Sequence, residues 1–64
     1  MKIKYDKTTD ILYITLTDKP VAESDEDKKG IVLDYDADNN IVGIEVLNAS
    51  KKLPQPAKLE YEVA

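Results

Sequence analysis

The sequence predicts a mainly β protein, in which two β-hairpins related by an internal repeat form one small curved antiparallel sheet. One short helical turn and a C-terminal edge strand complete the predicted fold. Three observations lead to this class. Apolar residues alternate with polar ones, two segments match at a constant offset of 30, and 64 residues suffice for a single domain.

The repeat consists of residues 3–16 and 33–46, and each copy has the pattern of strand, short polar turn and strand. The turn opens with Asp6 in one copy and Asp36 in the other, and an Asp there accepts a hydrogen bond from the backbone two residues on. Asn39 or Asn40 tolerates the left-handed conformation that a tight hairpin requires. The identical pairs at the offset of 30 are Tyr5/Tyr35, Asp6/Asp36, Ile11/Ile41 and Ile14/Ile44.

The second strand of the first hairpin is apolar on both faces. Alternation places Leu12 and Ile14 on the core face, so Ile11 and Tyr13 lie on the opposite face. An uncharged strand of high β propensity is prone to aggregate unless both of its faces are covered. We therefore expect a homodimer, with Ile11, Tyr13 and Tyr61 in the interface.

The segment between the hairpins, residues 18–29, is polar and acidic and lacks apolar periodicity. A solvated loop is the simpler interpretation, and a docking loop for a basic protein is the alternative. After the second hairpin, residues 48–53 suit one helical turn with Asn48 as its N-cap, ended by Pro54.

The chain divides into a two-hairpin β domain, residues 1–52, and a C-terminal part, residues 53–64. The C-terminal part begins with a stiff connector that contains Pro54 and Pro56. Residues 58–63 then alternate strictly between charged and apolar, which predicts a strand. This strand pairs either within its own sheet or with a second subunit.

The composition excludes whole classes of chemistry. Without Cys or His there is no thiolate nucleophile, imidazole base or ordinary zinc or haem site, so we expect neither enzymatic activity nor a cofactor. A net charge of −4 without any Arg argues against binding to nucleic acid. No long apolar run or signal peptide is visible, and we expect a cytoplasmic protein without membrane contact.

Residues 34–45 carry the only spacing that suggests a metal. Asp and Glu stand at positions 1, 3, 5 and 12 of a calcium-binding EF-hand loop, and Asn39 replaces the glycine of position 6. The flanking sequences are β-branched strands rather than helices, which favours turn chemistry over a calcium site. The weak metal candidates are Asp34, Asp36, Asp38 and Glu45.

Three blocks of the sequence resemble a known family. They are Tyr5-Asp6-x-x-x-Asp10-x-Leu12-Tyr13-Ile14, then Gly30-Ile31-Val32-Leu33-Asp34-Tyr35-Asp36, then Ile41-Val42-Gly43-Ile44-Glu45-Val46-Leu47-Asn48-Ala49-Ser50. In this order they resemble the small prokaryotic family known as domain of unknown function 2283. The resemblance implies a mostly β protein with no established activity, cofactor or catalytic residue. Some relatives look like members of toxin and antitoxin cassettes.

These observations favour a non-enzymatic domain that associates with itself or with another protein. A folded chain of this length buries only about 60% of its surface, and no disulfide or metal compensates. One alternative is an antitoxin-like protein that masks a basic toxin. The other is a calcium-binding module that uses residues 34–45.

Overall fold

The computed structural model describes all 64 residues, and its strands form one five-stranded antiparallel sheet. The elements are β1 (Lys2–Asp6), β2 (Ile11–Thr15), β3 (Glu23–Lys28), β4 (Ile31–Tyr35), β5 (Ile41–Leu47) and α1 (Ala49–Lys52). The strand order is β1-β2-β5-β4-β3, which leaves β1 and β3 as the two edges. The predicted mainly β class is confirmed.

The two hairpins of the repeat are β1–β2 and β4–β5, and they join where β2 pairs with β5. Ile14 lies directly opposite Ile44, its equivalent at the offset of 30. Because the strands run antiparallel through this pair, an approximate twofold axis between the two residues relates the hairpins. The repeat in the sequence is therefore also a repeat in the sheet.

Both hairpin turns are built around an Asp side chain, as predicted. Asp6 Oδ1 accepts the Thr8 N–H at 2.9 Å, and Asp36 Oδ1 accepts the Asp38 N–H at 2.9 Å. Asn39 has the expected left-handed backbone, with φ of 66°. The aspartates fix the turns locally, and the turns set the pairing of the strands.

Cross-strand partners in a sheet share a face, so the register defines two surfaces. We call them the tail-side face and the opposite face. The tail-side face carries Ile3, Tyr5, Leu12, Ile14, Ile31, Leu33, Ile44 and Val46, and the opposite face carries Lys2, Lys4, Ile11, Tyr13, Val32, Asp34, Glu45 and Leu47.

The C-terminal tail, residues 53–64, partly covers the first of these faces. Its residues Leu53 to Glu60 enclose a groove of about 520 Å³ against Ile3, Leu12 and Ile14. The only elements in extensive contact are neighbouring strands, so the fold is essentially one layer.

Burial in this layer is shallow. Only five residues are buried, and the apolar ones among them are Val42 and Ala49. No large side chain is fully buried. Most apolar side chains of both faces are half-buried, since neighbouring strands shield them from the sides but little lies above them.

The prediction of a solvated loop over residues 18–29 is wrong in its second half, because residues 23–28 form β3. Its six side chains are all exposed, and it is joined to β4 by the strand pairing and by a hydrogen bond from the Ser24 hydroxyl to Asp34. The charged sequence gives no alternation that could reveal the strand, because neither of its faces packs on a core.

Three details at the C-terminus also differ from prediction or extend it. The helical turn is present as α1, but Asn48 has a φ of 51° and makes no side-chain cap bond. Residues 58–63 form no strand in their own chain. The predicted C-terminal edge strand is therefore wrong for the single chain, whose edge strands are β1 and β3. The single helix has four residues, and no helix of the chain has the length and apolar character to cross a bilayer.

Candidate functional site

The carboxylate of Asp10 is the centre of a polar cluster that joins distant parts of the chain. It ends the first hairpin turn with a left-handed φ of 57°. Oδ1 accepts the Tyr5 hydroxyl at 2.7 Å and the Ser50 N–H at 2.9 Å, and Oδ2 accepts the Ser50 hydroxyl at 2.6 Å. The Asp10 carbonyl accepts the Ala49 N–H at 2.9 Å. Asp10 therefore caps α1 in place of Asn48.

These bonds change the acidity of both partners. The hydrogen bond from the Ser50 hydroxyl, followed by that from Tyr5, lowers the pKa of Asp10 below its ordinary 3.8. The bond to Asp10, together with burial, raises the pKa of Tyr5 above 10.0. Because both carboxylate oxygens are occupied by donors of the chain itself, the cluster ties the first hairpin to the helical turn.

Asp36 has the corresponding role in the second turn. Its side chain is buried, and Oδ1 accepts the N–H groups of Asp38 and Asn40, both at 2.9 Å. The backbone bond from Asn40 is the largest cause of a lowered pKa at Asp36. Lys19 lies 4.0 Å away, and its exposed ammonium contributes little. Asp36 is thus the turn residue that the sequence predicts.

The four weak metal candidates are not brought together. The structure has no group of three or more Asp, Glu, His or Cys side chains placed to hold a metal ion. The Asp36 carboxylate points into its own turn, whereas Asp34 and Glu45 lie on the opposite face of the sheet. Asp38 is exposed and contributes its backbone N–H to Asp36.

The opposite face carries a half-buried apolar patch, which we call the opposite-face strip. It consists of Ile11 and Tyr13 on β2, Val32 on β4 and Leu47 on β5. Lys4 lies over the Tyr13 ring, with Nζ 6.0 Å from the ring centre. The predicted interface residues Ile11 and Tyr13 are thus neighbours on one surface.

Glu45 interrupts this strip. Its cross-strand partners are Tyr13 on β2 and Val32 on β4, and this partial burial is the main cause of a raised pKa at Glu45. The nearby carboxylate of Asp34 raises it further. Asp34 itself accepts the Ser24 hydroxyl at 2.7 Å. The strip therefore holds one carboxyl group that pays an electrostatic penalty when ionised.

The third predicted interface residue, Tyr61, lies apart from the strip. It belongs to the C-terminal tail, beyond the residues that line the tail-side groove, and is 74% exposed. Sequence reasoning missed the Asp10 cluster because its partners, Tyr5 and Ser50, are 5 and 40 residues away. The sequence feature that could have indicated this cluster is the one-turn helix. A helix of one turn with no cap from a neighbouring residue needs a cap from a distant residue.

Taken together, the fold and its polar clusters define a class of protein: a small single-layer β-sheet with structural carboxylates and half-buried apolar surface on both faces. Residues 2–50 match the family model described as Protein of unknown function (DUF2283), and the chain belongs to this family. The matched range contains Tyr5, Asp10 and Ser50 and ends before the C-terminal tail. Searches of curated proteins and of solved structures each gave no significant match.

The Asp10 cluster predicts that the free energy of unfolding falls at low pH. Since the folded pKa of Asp10 is lower than its unfolded value near 3.8, its stabilising effect is complete above that pH and is lost as the pH falls through the folded pKa. We expect Asp10→Asn to unfold at lower urea than wild type at pH 7, and the difference to shrink below pH 3.8. Asp38→Asn, at an exposed turn residue, is the control. A difference that stays constant with pH would contradict the assignment.

The raised pKa of Glu45 predicts the opposite dependence of stability on pH. Its folded pKa is higher than its ordinary 4.5, so its ionised form is penalised in the folded state and wild type is less stable above that pH. We expect Glu45→Gln to raise the free energy of unfolding at pH 7, and the gain to disappear below pH 4.5. Glu23→Gln, at an exposed position, should leave stability unchanged. A Glu45→Gln variant less stable than wild type at pH 7 would refute this interpretation.

Proposed function

We propose that this chain is a non-enzymatic domain that associates with itself as a homodimer. The observation that carries the proposal is that no large side chain is fully buried, although both faces of the sheet bear apolar residues. Stable domains cover each apolar sheet face with a second layer. In this chain the four-residue α1 and the tail provide only part of such a layer.

The exposed area supports the same proposal. The chain exposes 5123 Å², whereas a folded monomer of 7.2 kDa exposes about 4,100 Å² by general scaling. The radius of gyration is 12.3 Å, compared with about 10.7 Å for a compact chain of this length. The excess of about 1,000 Å² exceeds the roughly 800 Å² that each partner buries in a standard interface.

The opposite-face strip is the surface on which a second copy fits best. It combines an aromatic and three aliphatic side chains, and aromatic residues are enriched in the centres of interfaces. Its charged neighbours Lys4 and Glu45 flank Tyr13 on either side. Under twofold symmetry the same patch meets itself, so a Lys of one copy can meet a Glu of the other.

The proposal predicts a dimer that Tyr13→Lys dissociates. We expect wild type to sediment as a dimer at micromolar concentration and Tyr13→Lys as a monomer of sharply lower stability, because an ammonium in place of the aromatic ring would be desolvated in the interface. Thr8→Lys adds the same charge in an exposed turn and should remain dimeric.

Melting wild type at several protein concentrations tests the proposal without requiring that any variant folds. A dimer gains stability by mass action, so the melting temperature of wild type should rise with protein concentration. A wild-type monomer whose melting temperature is independent of concentration would overturn the proposal.

A second candidate function is binding to a basic protein, as an antitoxin-like partner. The observation that favours it is β3, an edge strand with four acidic side chains, all of them exposed. We expect a basic partner, if this is the function, to bind wild type more weakly as salt increases, because exposed charges are screened. Replacing Glu23, Asp25, Glu26 and Asp27 by neutral isosteres should abolish that binding, whereas the same change at Glu60 and Glu62 should not.

A further inference from the structure

Residues 58–63, which we call the C-terminal arm, have the pattern of a strand but no strand beside them. The arm carries the most exposed large apolar residues of the chain after Met1 is set aside: Leu59 is 63% exposed, Tyr61 74% and Val63 80%. Lys58 Nζ lies 3.3 Å from Glu60 Oε1, so the charged residues project to one side, as in extended backbone. The arm thus has the pattern of a strand but pairs with no strand of its own chain.

The sheet has an edge that suits the arm. β1 pairs with β2 on one side only, and its outer side is free. Along β1, Lys2, Lys4 and Asp6 point to the opposite face, and Ile3 and Tyr5 point to the tail-side face. Charged edge strands discourage indiscriminate pairing, so a strand added here must bring matching charges.

The arm brings matching charges in one antiparallel register. When Lys4 is placed opposite Glu60, every other position of β1 also meets a complementary residue. The resulting pairs are Lys2 with Glu62, Ile3 with Tyr61, Lys4 with Glu60, Tyr5 with Leu59, and Asp6 with Lys58. All three charged pairs are of opposite sign and both remaining pairs are apolar, which is the arrangement that stabilises neighbouring strands.

Other registers match less well. A parallel arrangement that keeps Lys2 and Lys4 beside Glu60 and Glu62 places Asp6 beside Ala64 and loses the third charged pair. A shift by one residue places charged side chains beside apolar ones along the whole strand. The antiparallel register is therefore the one that the sequence of both segments favours.

The approximate twofold axis of the sheet gives independent support. It relates β1 to β4, and β4 has an antiparallel strand, β3, on its outer side. The vacant position beside β1 is therefore the equivalent of the position that β3 occupies. An arm there would complete a symmetric sheet of six strands.

We propose that each C-terminal arm pairs antiparallel with β1 of a second copy of this chain, so that two copies exchange arms. This inference rests on the proposed homodimer and names the segment exchanged. Pro54 and Pro56 stiffen the connector, and a turn closed by the Lys58 N–H and the Gln55 carbonyl at 3.0 Å precedes the arm. In its own chain the arm after this connector lies outside the sheet, and a stiff hinge of this kind favours exchange between copies.

Disulfide cross-linking tests the exchange directly, because the chain has no native Cys. Lys4→Cys and Glu60→Cys are prepared as separate proteins, mixed and oxidised, and the linked peptides are identified by mass spectrometry. Residues opposite each other on paired strands are close enough for a disulfide, so we expect a link between chains from residue 4 to residue 60. Lys28→Cys, on the other edge of the sheet, is the matched control and should not link to residue 60.

The outcomes separate this inference from the proposed function. A dimer in sedimentation without the 4-to-60 link overturns the exchange and leaves the homodimer standing. A link that forms only within one chain, in a protein carrying both cysteines, also overturns the exchange, because the arm then closes its own edge. A monomer under all conditions overturns both.

Charge reversal provides a second test that needs no cysteine. We expect Lys2→Glu with Lys4→Glu to raise the dimer dissociation constant by about tenfold, and added Glu60→Lys with Glu62→Lys to restore it. Lys7→Glu with Lys29→Glu makes the same change of net charge in exposed turns and should have little effect. Failure of the arm substitutions to rescue the β1 substitutions would refute the pairing.

Discussion

The constraint on which the structure depends is that a chain of 64 residues builds only one layer. A sheet of five strands uses 28 of its residues, and the remaining turns and tail are too short and too polar to supply a second layer. Apolar side chains are consequently shielded by their strand neighbours, and only the tail covers part of one face from above. The half-burial of both faces and the excess of exposed area follow from this single cause.

With so little core, order in the chain depends on local polar contacts. Asp6 and Asp36 fix the two hairpin turns through their own backbones, and Asp10 ties the first hairpin to α1. The pKa values of Asp10 and Asp36 are lowered by the hydrogen bonds that their carboxylates accept, and such bonds are stronger when one partner is charged. The interactions that substitute for a core are therefore electrostatic, and they are sensitive to pH in a way that apolar packing is not.

What the sequence could predict reflects how local each feature is. The hairpins, their Asp turns and the left-handed Asn39 were predictable, because each depends on residues within a few positions of one another. The Asp10 cluster was not, since its bond to Ser50 spans 40 residues. β3 was missed because a strand with no packed face leaves no apolar pattern. Alternation predicted a strand over residues 58–63, and these residues form no strand in their own chain, because the pattern of one segment does not specify a neighbour with which it pairs.

The two edges of the sheet differ in charge, and this difference bears on how copies associate. β3 presents mainly carboxylates, whereas β1 presents Lys2 and Lys4. If the acidic edge of one copy paired with the basic edge of the next, the contact would be heterologous and could continue without limit. Reciprocal exchange of arms avoids this outcome, because each β1 is then occupied by the arm of the other copy. The edges left exposed would be β3 and the outer side of the arm, and both of these strands carry more acidic than basic side chains. In the proposed dimer, the arm would therefore both add a strand to the sheet and occupy the basic edge with which β3 of another copy could otherwise pair.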